Sequence, residues 1–242
     1  MSKSYNYQPA GTTTVTTTGN IAQLDPQGNS VILMNNASLS TIQGIKAGYP
    51  GQKVTIISIG AGEVDLAHQN SSASANDRLI NYVTSGITPL AAGVGTCQYQ
   101  YDDITNRWRL INHNQGALID IPYNAGNFTA SSGTWTVDSG DQTTFSFYLT
   151  CQCMMLLCVL TDTSLSLAAN NLSIKLPNGY TINKISRGPF TFLQNSTAGT
   201  GMFSQAVAST VIICFTDAAA ATSWIATTNG TRIDINNFVF IN

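Results

Sequence analysis

The sequence predicts an all-β protein: an extended N-terminal arm followed by two consecutive β-sandwich or jelly-roll-like modules. Three observations predict it. Charge is scarce, with Asp, Glu, Lys and Arg making up 9% of the 242 residues, against about 25% in an ordinary soluble domain. The chain is rich in Thr, Ser and Asn and has 20 glycines; β-branched residues suit strands, while Asn, Ser and Gly suit turns. Short runs of alternating apolar and polar residues recur between these turn residues, which is the period of half-buried strands. A hydrophobic fraction of 43% supplies enough apolar surface to offset the ordering entropy that keeps polar chains unfolded.

Residues 1–20 read as the arm, because Thr12-Thr13-Thr14-Val15-Thr16-Thr17-Thr18 carries few large apolar side chains. The first module spans 21–113, with strands expected over 30–33, 41–42, 53–59, 63–66, 79–80, 96–102 and 107–111. In Lys53-Val54-Thr55-Ile56-Ile57-Ser58-Ile59 the period-2 pattern puts Val54 and Ile56 on one face. Gly60-Ala61-Gly62 and Asp102-Asp103-Ile104-Thr105-Asn106 read as hairpin connections. The small polar segment 69–77 reads as a surface loop. Residues 114–118 form a polar joint. The second module spans 119–242, with strands expected at 134–137, 142–149, 151–160, 172–176, 201–208, 211–215 and 232–241. Pro177-Asn178-Gly179 reads as a strong turn, and Ala218 to Ala221 as one helical turn at most.

Composition also restricts partners. A net charge of −2 provides no electrostatic reason to bind nucleic acid. No segment is apolar over the ~20 residues a membrane-spanning helix needs, so membrane insertion is not expected. The first residues lack a signal peptide's apolar core, which predicts synthesis and folding in the cytoplasm. Of five cysteines, Cys151 and Cys153 share one face of a strand and Cys158 takes the other. A Cys-x-Cys pair within one strand has poor disulfide geometry, and ligands at metal-binding spacing are not visible. Reduced, mostly buried thiols are the expectation, with a disulfide or metal site as alternatives.

Catalytic groupings are sparse. His68 shares a face with Leu66 and reads as a satisfied, half-buried histidine, while His113 falls at the joint. Asp102 and Asp103 are adjacent, so strand geometry points them apart. Asp138 and Asp141 flank a turn and read equally well as turn caps. No catalytic residue, cofactor or metal ligand is assigned, and no enzymatic activity is expected. Gly44, Gly48 and Gly51 read as turn glycines rather than a phosphate loop, since no helix or Lys-Ser/Thr pair follows. Aromatics with polar neighbours suit stacking on a sugar's apolar face, which makes Trp135, Tyr180, Phe203 and Trp224 candidate receptor-binding residues.

The order of residues over 42–110 resembles a small β module of tailed-bacteriophage fibres, spikes and other virion appendages. It runs Gly44-Ile45, Gly48, Gly51-Gln52-Lys53-Val54, Val64-Asp65-Leu66-Ala67-His68, Asn76-Asp77-Arg78-Leu79-Ile80, Tyr99-Gln100-Tyr101-Asp102 and Arg107-Trp108-Arg109-Leu110. The second module resembles the C-terminal knobs of such fibres through Phe128 with Gly133-Thr134-Trp135, Tyr148-Leu149, Leu172-Ser173-Ile174-Lys175-Leu176-Pro177 and Arg232-Ile233-Asp234-Ile235 with Phe238-Val239-Phe240. The Cys151–Cys158 stretch departs from that pattern.

The resemblance implies a virion structural protein assembled as a homotrimer. Its arm would join other virion proteins, its first module would act as stalk or shoulder, and its knob would display loops for a host-surface glycan or protein. It further implies structural roles for Gly44, Gly51, Arg78, Tyr101, Arg107 and Trp108. A capsid-decoration or head-fibre protein is the first alternative. A polysaccharide depolymerase, dependent on Asp138 or Asp141, is the second.

Overall fold

The computed structural model describes residues 11–185, 187–217 and 223–242, and the chain divides into two compact units. The first comprises Met1–Tyr82 and Thr88–Ala117, the second Val83–Ile87 and Leu118–Asn242. All regular structure beyond short 3-10 turns is strand among the described residues, as the composition predicts. The helical turn expected at 218–221 lies outside the described residues.

In the first unit, β1 (Thr12–Val15), β2 (Gly19–Ile21), β3 (Val31–Met34), β4 (Ser40–Ile42), β5 (Lys53–Ser58) and β6 (Val64–Ala67) alternate between two sheets. β1, β3 and β5 pair in parallel, with Thr13, Ile32 and Ile56 in one row. β2, β4 and β6 also pair in parallel, with Ile21, Ile42 and Leu66 in one row. Each successive pair of strands is therefore one coil stacked on the last. Ile32, Met34, Ile42, Ile45, Ile56 and Leu66 fill the interior between the sheets and are fully buried. β7 (Leu79–Ile80), β8 (Ile87–Leu90), β9 (Thr96–Asp102) and β10 (Arg107–Asn114) complete the sheets. β9 is antiparallel to β5, β10 is antiparallel to β9, and β8 extends the sheet of β6.

This architecture corrects three expectations. A jelly roll requires antiparallel neighbours, whereas the coils here pair in parallel. Residues 12–15 and 19–20, expected within an extended arm that precedes the first module, are instead strand residues of its first coil; the β-branched side chains of 12–15 suit a strand, and β3 and β4 offer them ladders to join. Gly60-Ala61-Gly62 joins no hairpin, because β5 and β6 belong to different sheets. It is the corner of a coil lying directly on the preceding corner: a Cβ at Gly60 would meet Asn36 O at 2.3 Å, and one at Gly62 would meet Ser38 O at 2.2 Å. The Asp102 to Asn106 connection is a true hairpin between β9 and β10.

The second unit contains β11 (Ile119–Asp120), β12 (Phe128–Ala130), β13 (Trp135–Thr136), β14 (Gln142–Thr150), β15 (Cys153–Leu165), β16 (Leu172–Lys175), β17 (Arg187–Gln194), β18 (Thr197–Gln205), β19 (Val211–Phe215) and β20 (Thr227–Phe240). They form one sheet in the order β11-β14-β15-β20-β17-β18-β19-β16-β12, with β13 paired to β15. All these pairings are antiparallel. Met154, Leu156, Cys158 and Leu160 alternate into one core with Phe145, Phe147, Ile233 and Val239. A register shift between Leu160 and Thr163 changes the inward parity of β15, so that Thr163 and Leu165 are buried past that point. Val83–Ile87 belongs here too: Val83 enters the core, Tyr180 Oη donates to Ile87 O, and Ser85 N donates to Asn242 O at 3.0 Å. Asn114, expected to start the joint, is the last residue of β10.

Candidate functional site

The outward face of the second unit's sheet carries the candidate site. Because alternate residues of a strand face opposite ways, burying Leu156, Cys158 and Leu160 turns Leu157 and Val159 outward. On β20, burying Ile233 and Ile235 turns Asp234 and Asn236 outward, and on β17 the buried Phe190 turns Pro189 and Thr191 outward. Pairing aligns Val159, Asp234, Thr191 and Thr200 in one row across four strands. These residues line an open groove of about 390 Å³. Leu157, Val159 and Pro189 supply its apolar surface, and Thr191, Thr200, Asp234 and Asn236 its hydrogen-bonding groups. Arg232 orients the Asp234 carboxylate through Nη2 and Nε, both 3.0 Å from Oδ2. The groove therefore sets hydrogen-bonding groups beside apolar surface. Its single carboxylate does not make the acid pair that glycoside cleavage uses.

The four aromatic candidates are not at this surface. Trp135, Tyr180, Phe203 and Trp224 are 4%, 0%, 1% and 0% exposed and belong to the core. Their polar atoms are used internally: Trp135 Nε1 donates to Thr163 Oγ1 at 2.9 Å, and Trp224 Nε1 to Cys214 O at 3.1 Å. Each lies on an inward position of its alternating strand or loop, which corrects their assignment as contact residues. The groove residues escaped notice because their alignment depends on pairing between strands distant in sequence.

The residues given structural roles are together in the first unit. Tyr101 and Trp108 pack edge-to-face with centroids 5.2 Å apart, and Trp108 Nε1 donates to Lys46 O at 3.2 Å. Arg78 Nε donates to Ala73 O at 3.2 Å and so holds the polar loop, while Arg107 Nε donates to Gln69 Oε1 at 3.3 Å. Gly51 has φ +76°, and a Cβ at Gly44 would lie 2.7 Å from Ala73 Cβ.

The acids and histidines are accounted for locally. Asp102 is held well below the usual carboxylate range by the Thr105 hydroxyl, then by Arg109 at 2.6 Å, in the β9–β10 turn. Asp141 Oδ2 accepts from Asp138 N at 2.8 Å, which is turn capping. His68 Nδ1 accepts from Asn81 N at 3.0 Å, and His113 Nε2 lies 2.9 Å from Pro89 O; burial lowers both pKa values. His113 thus sits within β10 rather than in a linker. All five cysteines are free thiols: Cys97, Cys158 and Cys214 are buried, Cys153 is half-buried and Cys151 is exposed.

One acid pair escaped sequence reading. Asp65 is 7% exposed, and burial followed by its neighbour Glu63 pushes its pKa up to about 8. Glu63 is the chain's sole glutamate, and burial raises its pKa too. The two side chains are hydrogen-bonded to each other. Among the described residues, no group of three His, Cys, Asp or Glu is placed to hold a metal ion. No protein-family model matches the chain, and no curated protein matches it.

Proposed function

We propose that this chain is a non-catalytic structural and attachment protein of a virus particle, a fibre or spike of the tailed-bacteriophage kind, assembled from copies of itself. In this reading the first unit is the stalk or shoulder, the N-terminal residues join other virion proteins, and the second unit meets the host surface. The observation that carries the attachment role is the groove at Asp234 and Asn236. Its uncharged hydroxyl and amide groups, one oriented carboxylate and apolar floor match a saccharide, which presents hydroxyls at its edges and C–H groups on its faces. The sparse charge and the likeness of residues 42–110 and 128–240 to fibre modules support the virion setting. Many copies on one particle multiply a weak single-site affinity through effective concentration.

The test is binding of the labelled full chain to a panel of purified bacterial capsular and lipopolysaccharides. Saturable binding lost in Asn236→Ala/Thr191→Ala, without release of reducing ends, supports the reading. Binding unchanged in that variant overturns the groove assignment. Binding to phage capsids with none to any polysaccharide transfers the chain to a decoration role, and reducing-end release makes it a depolymerase.

A further inference from the structure

The first unit holds a second cleft, at the place where two successive coils part. Leu24 and Ile45 form a parallel bridge, and Lys46 N donates to Leu24 O at 2.8 Å. Beyond that point the two segments diverge. The earlier one turns at once: Asn29 N donates to Pro26 O at 2.8 Å, and Gln27 and Gly28 take φ +52° and +80°. The later one continues to Tyr49 before it turns. There Gln52 N donates to Tyr49 O at 2.9 Å, and Gln52 Oε1 accepts from Tyr49 N at 3.2 Å. The gap between the two turns is a cleft of about 350 Å³ whose lining includes Asp25, Pro26, Gln27, Lys46, Tyr49 and Gln52. That volume falls in the ~300–1,000 Å³ range of small-molecule sites.

We propose that this cleft binds a neutral saccharide, with the Tyr49 ring as its stacking surface. Tyr49 is 67% exposed although it lines the cleft, and an aromatic ring meets the apolar face of a sugar while its hydroxyl meets the polar edge. The segment that carries the ring is fixed from below. Ala47 N donates to the buried Asp77 carboxylate at 2.8 Å, and a Cβ at Gly48 would lie 3.0 Å from the Trp108 ring. A ring held in place before binding loses little freedom on binding. Charge selects a neutral ligand: Lys46 Nζ and Asp25 Oδ2 pair at 2.8 Å, and Asp25 Oδ1 accepts from Gln27 N at 2.8 Å. The lining charges thus cancel, while the Gln27 and Gln52 amides supply both donors and acceptors of the kind hydroxyls need. Beside the ring, the apolar lining is only Pro26 and Ala47, too little to anchor a large side chain of a peptide. The cleft shares no residue with the groove at Asp234 and Asn236, so it gives the unit read as a stalk a binding site of its own.

The experiment is NMR of the full chain, isotopically labelled in its tyrosine rings and its glutamine and asparagine side-chain amides. The probes are oligosaccharides of glucose, galactose and N-acetylglucosamine, with oligogalacturonate as the anionic comparison. The expected result is a saturable shift of the Tyr49 ring and Gln27 amide signals with at least one neutral sugar. Tyr49→Phe retains the ring and the binding. Tyr49→Ala raises the Kd roughly tenfold, with an unchanged far-UV spectrum because the ring is exposed. Gln27→Gly, a change that suits φ +52°, also weakens binding. No shift of these signals with any of the neutral sugars overturns the proposal, as does equal affinity in Tyr49→Ala or a preference for oligogalacturonate. The same spectrum reads the two sites apart: a shift at Asn236 without one at Gln27 defeats only this cleft, and the reverse defeats only the groove.

Discussion

The two units solve the same problem, holding strands together, with different chemistry. In the first, buried polar side chains tie successive coils. Asp77, 3% exposed, accepts from Gln23 Nε2 at 2.6 Å and from Ala47 N at 2.8 Å. Asn36 Nδ2 donates to Ser38 O at 2.8 Å and Glu63 O at 3.0 Å, and Asn81 links Leu66 O to the Tyr99 hydroxyl. In the second unit, one core of aromatic and aliphatic side chains lies behind a continuous antiparallel sheet. Antiparallel strands joined by tight turns position each other locally. Parallel coils meet only after a full circuit of the chain, so side chains that reach from coil to coil fix their alignment.

That contrast can be broken at four points. The largest effect is expected in the second unit: Trp224→Ala removes a fully buried ring and should cost about 3–5 kcal/mol, read by chemical unfolding and by hydrogen exchange confined to peptides of 83–87 and 118–242. Next, Asp77→Ala leaves the Ala47 N–H and the Gln23 amide without their acceptor and should cost about 1–3 kcal/mol, with faster exchange in peptides of the first unit and none in the second. If both variants loosen both units equally, the distinction between them fails.

A third effect concerns pH. Asp65 stays protonated in the folded first unit up to about pH 8, whereas in the unfolded chain it ionises near 3.8. Between those values the folded state binds more protons, so the first unit loses stability as pH rises. Asp65→Asn should flatten that slope and stabilise the unit at pH 8, seen as a thermal midpoint that changes less between pH 5 and 8 than in the unmodified chain. The smallest effect is expected for Ile104→Lys at the exposed β9–β10 turn, within about 0.5 kcal/mol.

Strands were legible wherever apolar and polar residues alternate, as over 53–58 and 153–160. Their partners were not, because period-2 alternation is the same in parallel and antiparallel sheets. The coils left only a faint repeat: Ile21 and Leu24 recur as Ile42 and Ile45, 21 residues on, but the next step, Ile42 to Leu66, is 24. Gly60-Ala61-Gly62 reads as a hairpin because glycines that reverse a chain and glycines that let two corners touch have the same local composition. Structural roles for Arg78 and Trp108 were implied by the resemblance alone, and their hydrogen bonds to Ala73 O and Lys46 O join segments that local composition does not connect. The groove was not legible either, since Asp234, Thr191 and Thr200 become neighbours only through pairing.

The stacked coils also make the first unit a ruler. Each coil adds one strand to each sheet, so its length grows in steps of ~4.8 Å, while the closing strands β9 and β8 stay in place behind β5 and β6. Duplicating a 21- to 24-residue segment would lengthen the unit by one step without new capping chemistry, because the corner contacts at Asn36 and Gly60 already show how one circuit seats on another. Reach, in such a molecule, is set by how many times a short phrase of sequence is repeated.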